Sequence, residues 1–457
     1  MFLLRNLQFY VIFILLLNAA EVGAQGNYVA FTSNSATPGT FNTLVGPGAG
    51  GGGGLSGNRN AFLGYNAGLV TTSGSRNVLF GVDAGRFLTT GSDNVFLGFE
   101  SGLNVTAAGN HVMVGTGAGR GNTNGTNNVF VGYQAGTINA SGSSNNFVGF
   151  RAGYQNGSGS GNCFTGFVSG AANLSGQENS FTGGYSGYSN INGNSNACFG
   201  YQTGYGNVSG NNNSILGTRA GRDATGSNNV MIGSNAGYSN QGSFNVLVGA
   251  LAGFSSSSAS HNTVVGNYAF SSNVNGSYNI IIGDSAGYTN QGSGNILIGN
   301  NAGYSETASN KLIVANSAGN ATMYADLSTR QVLFGKKVTA GYIFSGNRTL
   351  NVIGGIIADS LRLAPVTNWA DFVFDDDYKL PTLSEVESFI KANRHLPRVP
   401  SGQEILQSGF NVSEMNVTLL QKVEELTLYM IDQQKRMNAQ QKQIDELLNA
   451  MKAEKRN

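Results

Sequence analysis

The stretch Asn128-Val-Phe-Val-Gly-Tyr-Gln-Ala-Gly136 decides the fold, because it returns 17 residues later as Asn145-Asn-Phe-Val-Gly-Phe-Arg-Ala-Gly153. The shared form is N-x-φ-φ-G-x-x-A-G, where φ is apolar. Asn128 to Gly132 is its core, and Asn60 to Gly64, Asn94 to Gly98 and Asn279 to Gly283 are further copies. The marker glycine that ends this core, Gly132 in the quoted stretch, falls at 46, 64, 81, 98, 115, 132, 149, 166, 183, 200, 217, 233, 249, 266, 283 and 299, sixteen copies in all. A seventeenth, Asn310-Lys-Leu-Ile-Val314, loses the glycine and reads as a cap. A short period held this long marks a stacked-repeat architecture.

Each copy holds one apolar run of strand length, too short to be stable alone, then a turn rich in Gly, Ser, Asn and Thr. No proline lies between Pro47 and Pro365, so every backbone donor is available to a ladder. Recurrent glycine suits corners with positive φ, and recurrent Asn suits side-chain bonding to turn backbone. The expectation is a mainly β fold: a β-solenoid or β-roll of about 16 repeats, one per coil. At about 4.8 Å per coil the rod would be about 75 Å long.

Composition agrees. Of 457 residues 68 are Gly, and 60 of those lie in 25–330. That stretch carries 9 Lys/Arg and 8 Asp/Glu, whereas 331–457 carries 15 of each sign. A net charge of +1 offers no field for nucleic acid. Three His and two Cys argue against a multi-ligand zinc site or a disulfide scaffold. No cofactor is expected. Residues 1–24 read as a signal peptide: Arg5, the apolar run Phe9 to Leu17, and Val22-Gly23-Ala24 before the cut. The run is too short to span a bilayer, and no later segment reads as a transmembrane helix. The mature chain is expected to be secreted or on the cell surface.

The residue two before each marker glycine is always apolar, and the one before it is apolar except at Thr165 and Thr182. Neighbours on a strand face opposite ways, so both strand faces are apolar. The second face wants a partner: neighbouring chains in a three-fold bundle, or a second wall of the same coil. The repeat resembles the head of trimeric autotransporter adhesins, a resemblance that implies a shape and an oligomer rather than a ligand.

The rest of the chain divides into a β connector (311–365), a small α+β module (366–412) and a coiled coil (413–457). Trp369-Ala-Asp-Phe-Val-Phe374, Asp377-Tyr-Lys-Leu380, Leu383-Ser-Glu-Val-Glu387, His395-Leu-Pro397 and Glu424-Glu-Leu-Thr-Leu-Tyr429 resemble a block common in tail-fibre-domain proteins of Bacteroidota. That resemblance implies fibre trimerisation or folding. Related phage-fibre modules cut themselves with a Ser–Lys pair, but Ala370-Asp371 stands where Ser-Asp would be expected. Read from the residues alone, Thr382 or Ser384 caps a helix through Asn393. Asn416, Val423, Met430, Met437, Ile444 and Met451 then recur every seven residues, interleaved with Leu419, Leu426, Gln433, Gln440 and Leu447. Such heptads read as a coiled coil, with a helix packed on its own domain as the alternative.

The remaining chemistry-bearing residues read mostly as structural. His111 and His261 read as turn residues, and His395 as a helix-end cation. Asp375-Asp-Asp377 reads as a solvated turn. Gly50 to Gly54 lacks a following Lys-Ser/Thr and reads as a flexible lead-in. Cys163 and Cys198 lie two coils apart, beyond disulfide reach, and read as buried free thiols. Tyr65, Tyr133, Tyr201, Tyr238 and Tyr288 belong to surface aromatic ladders that could stack on glycan rings, or could merely shield coil edges. The leading expectation is a homotrimeric structural or adhesive fibre, with surface glycans or a host or cell-surface protein as possible ligands. The alternatives are a receptor-binding fibre of a phage-like particle and, behind it, a polysaccharide-acting solenoid enzyme.

Overall fold

The computed structural model describes residues 28–30, 39–52, 54–335, 349–352, 354–360 and 369–455. The segment read as a signal peptide lies outside them. The chain forms two compact units, Met1–Gly355 and Ile356–Asn457.

The first unit is a β-solenoid of about seventeen turns. Its strands β1 (Tyr28–Ala30), β2 (Thr43–Val45) and onward to β17 (Ile296–Ile298) are three residues each. Each pairs in parallel with the next, residue for residue, as in Val129↔Asn146, Phe130↔Phe147, Val131↔Val148. β1 is a turn the repeat motif did not announce, because Tyr28-Val-Ala30 carries no marker glycine.

Three-residue strands cannot hold a rod alone, and they do not. The turns are also laddered coil to coil: Arg151 N–H donates to Tyr133 O at 2.9 Å, Gly136 N–H to Ala152 O at 2.9 Å, and Ile138 N–H to Tyr154 O at 2.9 Å. The spacing shows independently in the core. The rings of Phe130, Phe147, Phe164 and Phe181 stack with centroids 4.9, 4.8 and 4.9 Å apart.

The central residue of every strand from β2 to β17 points inward and is at most 2% exposed, from Leu44 through Phe62 and Cys198 to Leu297. The Ala of the motif (Ala67, Ala84, Ala118, Ala135) fills the opposite side of this narrow core at 0% exposure. Each coil therefore closes on its own core. The outer strand residues, including Leu63, Phe80, Leu216 and Ile282, remain exposed in the single chain.

The marker glycines have the expected positive φ, at +140° for Gly64, +136° for Gly98, +138° for Gly132 and +138° for Gly283. A corner is only part of what they supply, because stacking forbids a side chain there as well. A Cβ on Gly132 would lie 2.3 Å from the carbonyl oxygen of Gly149 in the next coil, and one on Gly149 (φ +140°) would lie 2.3 Å from that of Gly166. The second motif glycine is dictated by the core: at Gly170 a Cβ would meet the ring of Phe164 at 2.5 Å. The exception explains itself. Phe270 occupies that second position, fully buried, in the coil whose strand centre is the smaller Val264. Glycine does not supply every corner. Two further left-handed positions per coil are mostly non-Gly, for example Asn127 (φ 57°) and Gln134 (φ 54°). Gly50 to Gly52 are no loose lead-in: Gly50 N–H donates to Ala67 O at 3.0 Å and Gly52 N–H to Leu69 O at 2.6 Å, so they are part of a coil.

The stack ends as the lost glycine suggested. β18 (Lys311–Ala315) pairs in parallel with β17, then turns antiparallel onto β19 (Ala321–Asp326) and β20 (Gln331–Phe334), and β21 (Leu350–Val352) adds to β20. Lys311 Nζ to Asp326 at 2.7 Å ties the closing hairpin. The sequence pattern missed β19, whose residues do not repeat the motif.

The second unit holds a 3-10 helix (Ala370–Phe374), α1 (Leu383–Asn393), α2 (Gly402–Ser408) and the 43-residue α3 (Val412–Glu454). Thr382 with Glu385, and Ser401 with Glu404, form reciprocal capping boxes. Arg394, left-handed at φ 64°, ends α1 just before His395.

Gly149→Ala should destabilise the solenoid by about 2 kcal/mol or more, since strain and a backbone clash coincide. The control Ser158→Ala, at an exposed turn, should change it little. Urea unfolding midpoints of the two variants check this.

Candidate functional site

No pocket with convergent catalytic groups is found among the described residues. What the fold builds instead are ladders, one residue per coil, and two exposed apolar seams.

The deepest ladder is made by the motif Asn. Asn60, Asn94, Asn128 and Asn279 are at most 1% exposed. Each serves the same two bonds. The side-chain oxygen of Asn60 accepts from Asn77 N–H at 3.0 Å, and the Asn60 amide donates to Gly74 O at 2.9 Å. A carbonyl oxygen thus joins one coil to the next, and an amide pins the turn before the strand. A second ladder was not foreseen. Asn122, Asn139, Asn156, Asn173 and Asn190 are buried, and from Asn139 onward each amide donates to the oxygen of the preceding Asn at 2.5 to 2.7 Å. The signal was present as Asn seven residues after the marker glycine, diluted by Thr71, Leu88 and Val105 in earlier coils.

His111 takes the place of Asn in the first ladder and is fully buried. Its Nδ1 accepts from Asn128 N–H at 3.2 Å, and its Nε2 lies 3.2 Å from the Asn122 amide. Burial holds its pKa down to about 4, against an ordinary value of 6.5, despite bonds to the Gly125 and Asn128 backbone that push the other way. It is a structural member of the ladder rather than a turn residue. His261 is at an exposed left-handed corner, stacked between Phe244 (5.0 Å) and Tyr278 (4.8 Å).

Cys163 and Cys198 are both free. Cys198 is a strand centre, and burial pushes its thiol up to about 12. Cys163 is not buried in the core as expected: it is the first residue of its strand, so its side chain lies on the outer face, half-buried. Asp375, Asp376 and Asp377 are exposed in a turn.

The surface aromatics do form ladders. Tyr133, Phe150 and Phe167 stack at 5.3 and 5.1 Å, Tyr188 on Tyr205 at 5.0 Å, Tyr238 on Phe254 at 4.9 Å, and Tyr288 on Tyr304 at 5.1 Å. Tyr201 meets Tyr185 edge-on at 6.1 Å. Arg222 lies between Tyr205 and Tyr238, 5.1 and 5.5 Å from their centroids. Rings about 5 Å apart leave no room for a sugar between them, so their stacking faces serve one another and only edges reach solvent. Tyr65 stands outside these ladders, 54% exposed. The arrangement favours shielding of coil edges over glycan stacking.

The first exposed seam is on α3. Leu419, Val423, Leu426, Met430, Met437, Ile444 and Leu447 are each 48 to 64% exposed, and Gln433 and Gln440 lie in line with them, also exposed. Between Gln421 and Glu425 the opposite side of the same helix is polar and buried. Gln421, Glu424 and Glu425 are at most 8% exposed. Tyr378 donates to Glu425 at 2.6 Å, Arg398 to Gln421 at 3.1 Å, and Tyr429 to Pro381 O. The module thus grips α3 by its polar side. The second seam is the outer face of the solenoid sheet. No helix among the described residues is long and apolar enough to cross a membrane. No protein-family profile, curated protein or solved structure matches the chain.

His111 generates a pH test. The unfolded chain protonates this ring near pH 6.5 and the folded chain only near 4, so between those values the unfolded state binds more protons. Stability should fall as pH drops through that window, by about 3 kcal/mol at its acid end. His111→Asn restores the ladder residue and should remove that share of the slope. Thermal melts of both proteins at pH 7 and pH 5 check it; equal losses would refute the assignment.

Proposed function

We propose that the chain is an exported, homotrimeric fibre protein with a structural or adhesive role, its solenoid forming a shaft or head and its C-terminal helix a coiled coil. The reading rests on one observation above others: between Gln421 and Glu425 α3 buries its polar side, while its heptad residues stay in solvent along the whole helix. A helix normally does the reverse. A row of a and d residues with nothing against it is complementary to copies of itself, and the Gln433 and Gln440 layers suit the fixing of register. The leader-like residues 1–24 support export, and the resemblance to adhesin heads and tail-fibre-domain proteins supports a fibre role.

Carboxylate chemistry fits the repeats poorly. Of the eight acids in 25–330, Asp83, Asp93, Glu100, Asp223 and Asp326 are held in ion pairs with Arg86, Arg76, Arg120, Arg222 and Lys311. The phage-like alternative requires assembly without export, which the leader opposes.

Light scattering of the full chain should give three times the chain mass. Leu426→Asp with Met430→Asp should shift it to monomer while the solenoid's circular dichroism stays unchanged. A monomeric native chain would overturn the proposal.

A further inference from the structure

The outer face of the solenoid sheet is formed by the first and third residues of each strand. From Thr43 and Val45 to Ile296 and Ile298 these make 32 positions in sixteen coils, and none is charged. Most are apolar: Val78 and Phe80, Val112 and Val114, Val129 and Val131 towards one end, Val246 and Val248, Ile280 and Ile282 towards the other. Many are well exposed, including Phe80 at 53%, Leu216 at 51% and Ile282 at 42%. Parallel sheets are normally covered on both faces, and their strands then read as unbroken apolar runs. Here the run is present, and no described residue of the solenoid covers it.

Charge sits at the borders of this face. The left-handed positions flanking each strand carry Arg59, Arg76, Asp93 and Glu178 on one side, and Asp83, Glu100, Arg151 and Arg219 on the other. An uncharged centre with a charged rim is the anatomy of a protein interface.

We infer that this face is where neighbouring copies of the same chain pack their shafts side by side, parallel and in register. This rests on the trimer reading above and extends it from the helix to the solenoid. Two observations select the occupant. The strip is about 75 Å long and about 10 Å wide, so a three-fold bundle would bury about 2,250 Å² in all, shared among three contacts. A partner for so long a strip must be equally long and share its coil period, and a second copy meets both conditions. α3 supplies the direction. A parallel coiled coil tethers the shafts at one end and raises their effective concentration. In register, the polar middle of the strip (Asn146, Thr165, Ser180, Thr182) meets its own kind instead of valine and isoleucine.

Two readouts test this. Cys163 lies on the strip and Cys198 is sealed in the core, so one thiol reports on the face. It should react with a maleimide about tenfold or more slowly in the assembled chain than in the Leu426→Asp/Met430→Asp monomer. For direction, a spin label is placed at Asp284→Cys in a Cys163→Ser chain, two residues beyond β16 (Ile280–Ile282) and so beside the strip. In-register parallel shafts place these labels within about 30 Å, whereas antiparallel shafts would separate them by about 60 Å. Val246→Lys with Ile280→Lys should broaden the short distance while light scattering still reads a trimer. A trimer with a fast-reacting Cys163, or with long distances between labels, overturns this inference and leaves the helix reading intact. A monomer overturns both.

Discussion

Everything in the first unit follows from the distance at which one backbone can hydrogen-bond to the next. Coils separated by about 4.8 Å can bond at strands and turns alike, but only if each residue lies over its equivalent. The molecule then has to be the same at every level. A residue that fits once fits sixteen times, and one that fails would fail as often. This is why the marker position tolerates no Cβ: at Gly81 it would lie 2.3 Å from the carbonyl oxygen of Gly98. It is also why side chains come in ladders. Asn is suited to this spacing because its oxygen and amide point to different neighbours, and Phe because rings at about 4.8 Å make van der Waals contact with one another.

The same constraint explains what could be read in advance. The period, the strand centres, the marker glycines and the cap at Asn310 were all legible, because vertical stacking writes itself into the sequence as repetition. What breaks repetition was not legible. β1 lacks the glycine, β19 lies beyond the last repeat, and Phe270 stands where glycine is otherwise needed. The non-Gly left-handed corners were also hidden: Asn127, Ser144 and Arg151 share a backbone conformation, not a side-chain chemistry. Cys163 was misplaced because strand parity decides its environment. One position nearer the marker glycine it would have joined Cys198 in the core.

In the second unit the legible feature was the heptad pattern, and the hidden one was how the module holds it. Gln421, Glu425 and Tyr429 bond to Arg398, Tyr378 and the Pro381 carbonyl, and Glu424 is buried with them. No spacing rule reveals that, since it depends on where the 3-10 helix and the loop after it return in space. The module holds α3 by its polar side between Gln421 and Tyr429, so the apolar residues there point outward; under the proposed assembly, that pre-ordering would lower the entropic cost of association.

The central proposal is that copies of the same chain cover both the uncharged strand face of the solenoid and the heptad row of α3. Single-particle electron microscopy of the full chain tests it most directly. The expected image is a bundle of three shafts, each about 75 Å long with a coil rise of about 4.8 Å, lying side by side along their strand faces. Isolated single shafts, or shafts splayed apart beyond a common helical stem, would contradict it.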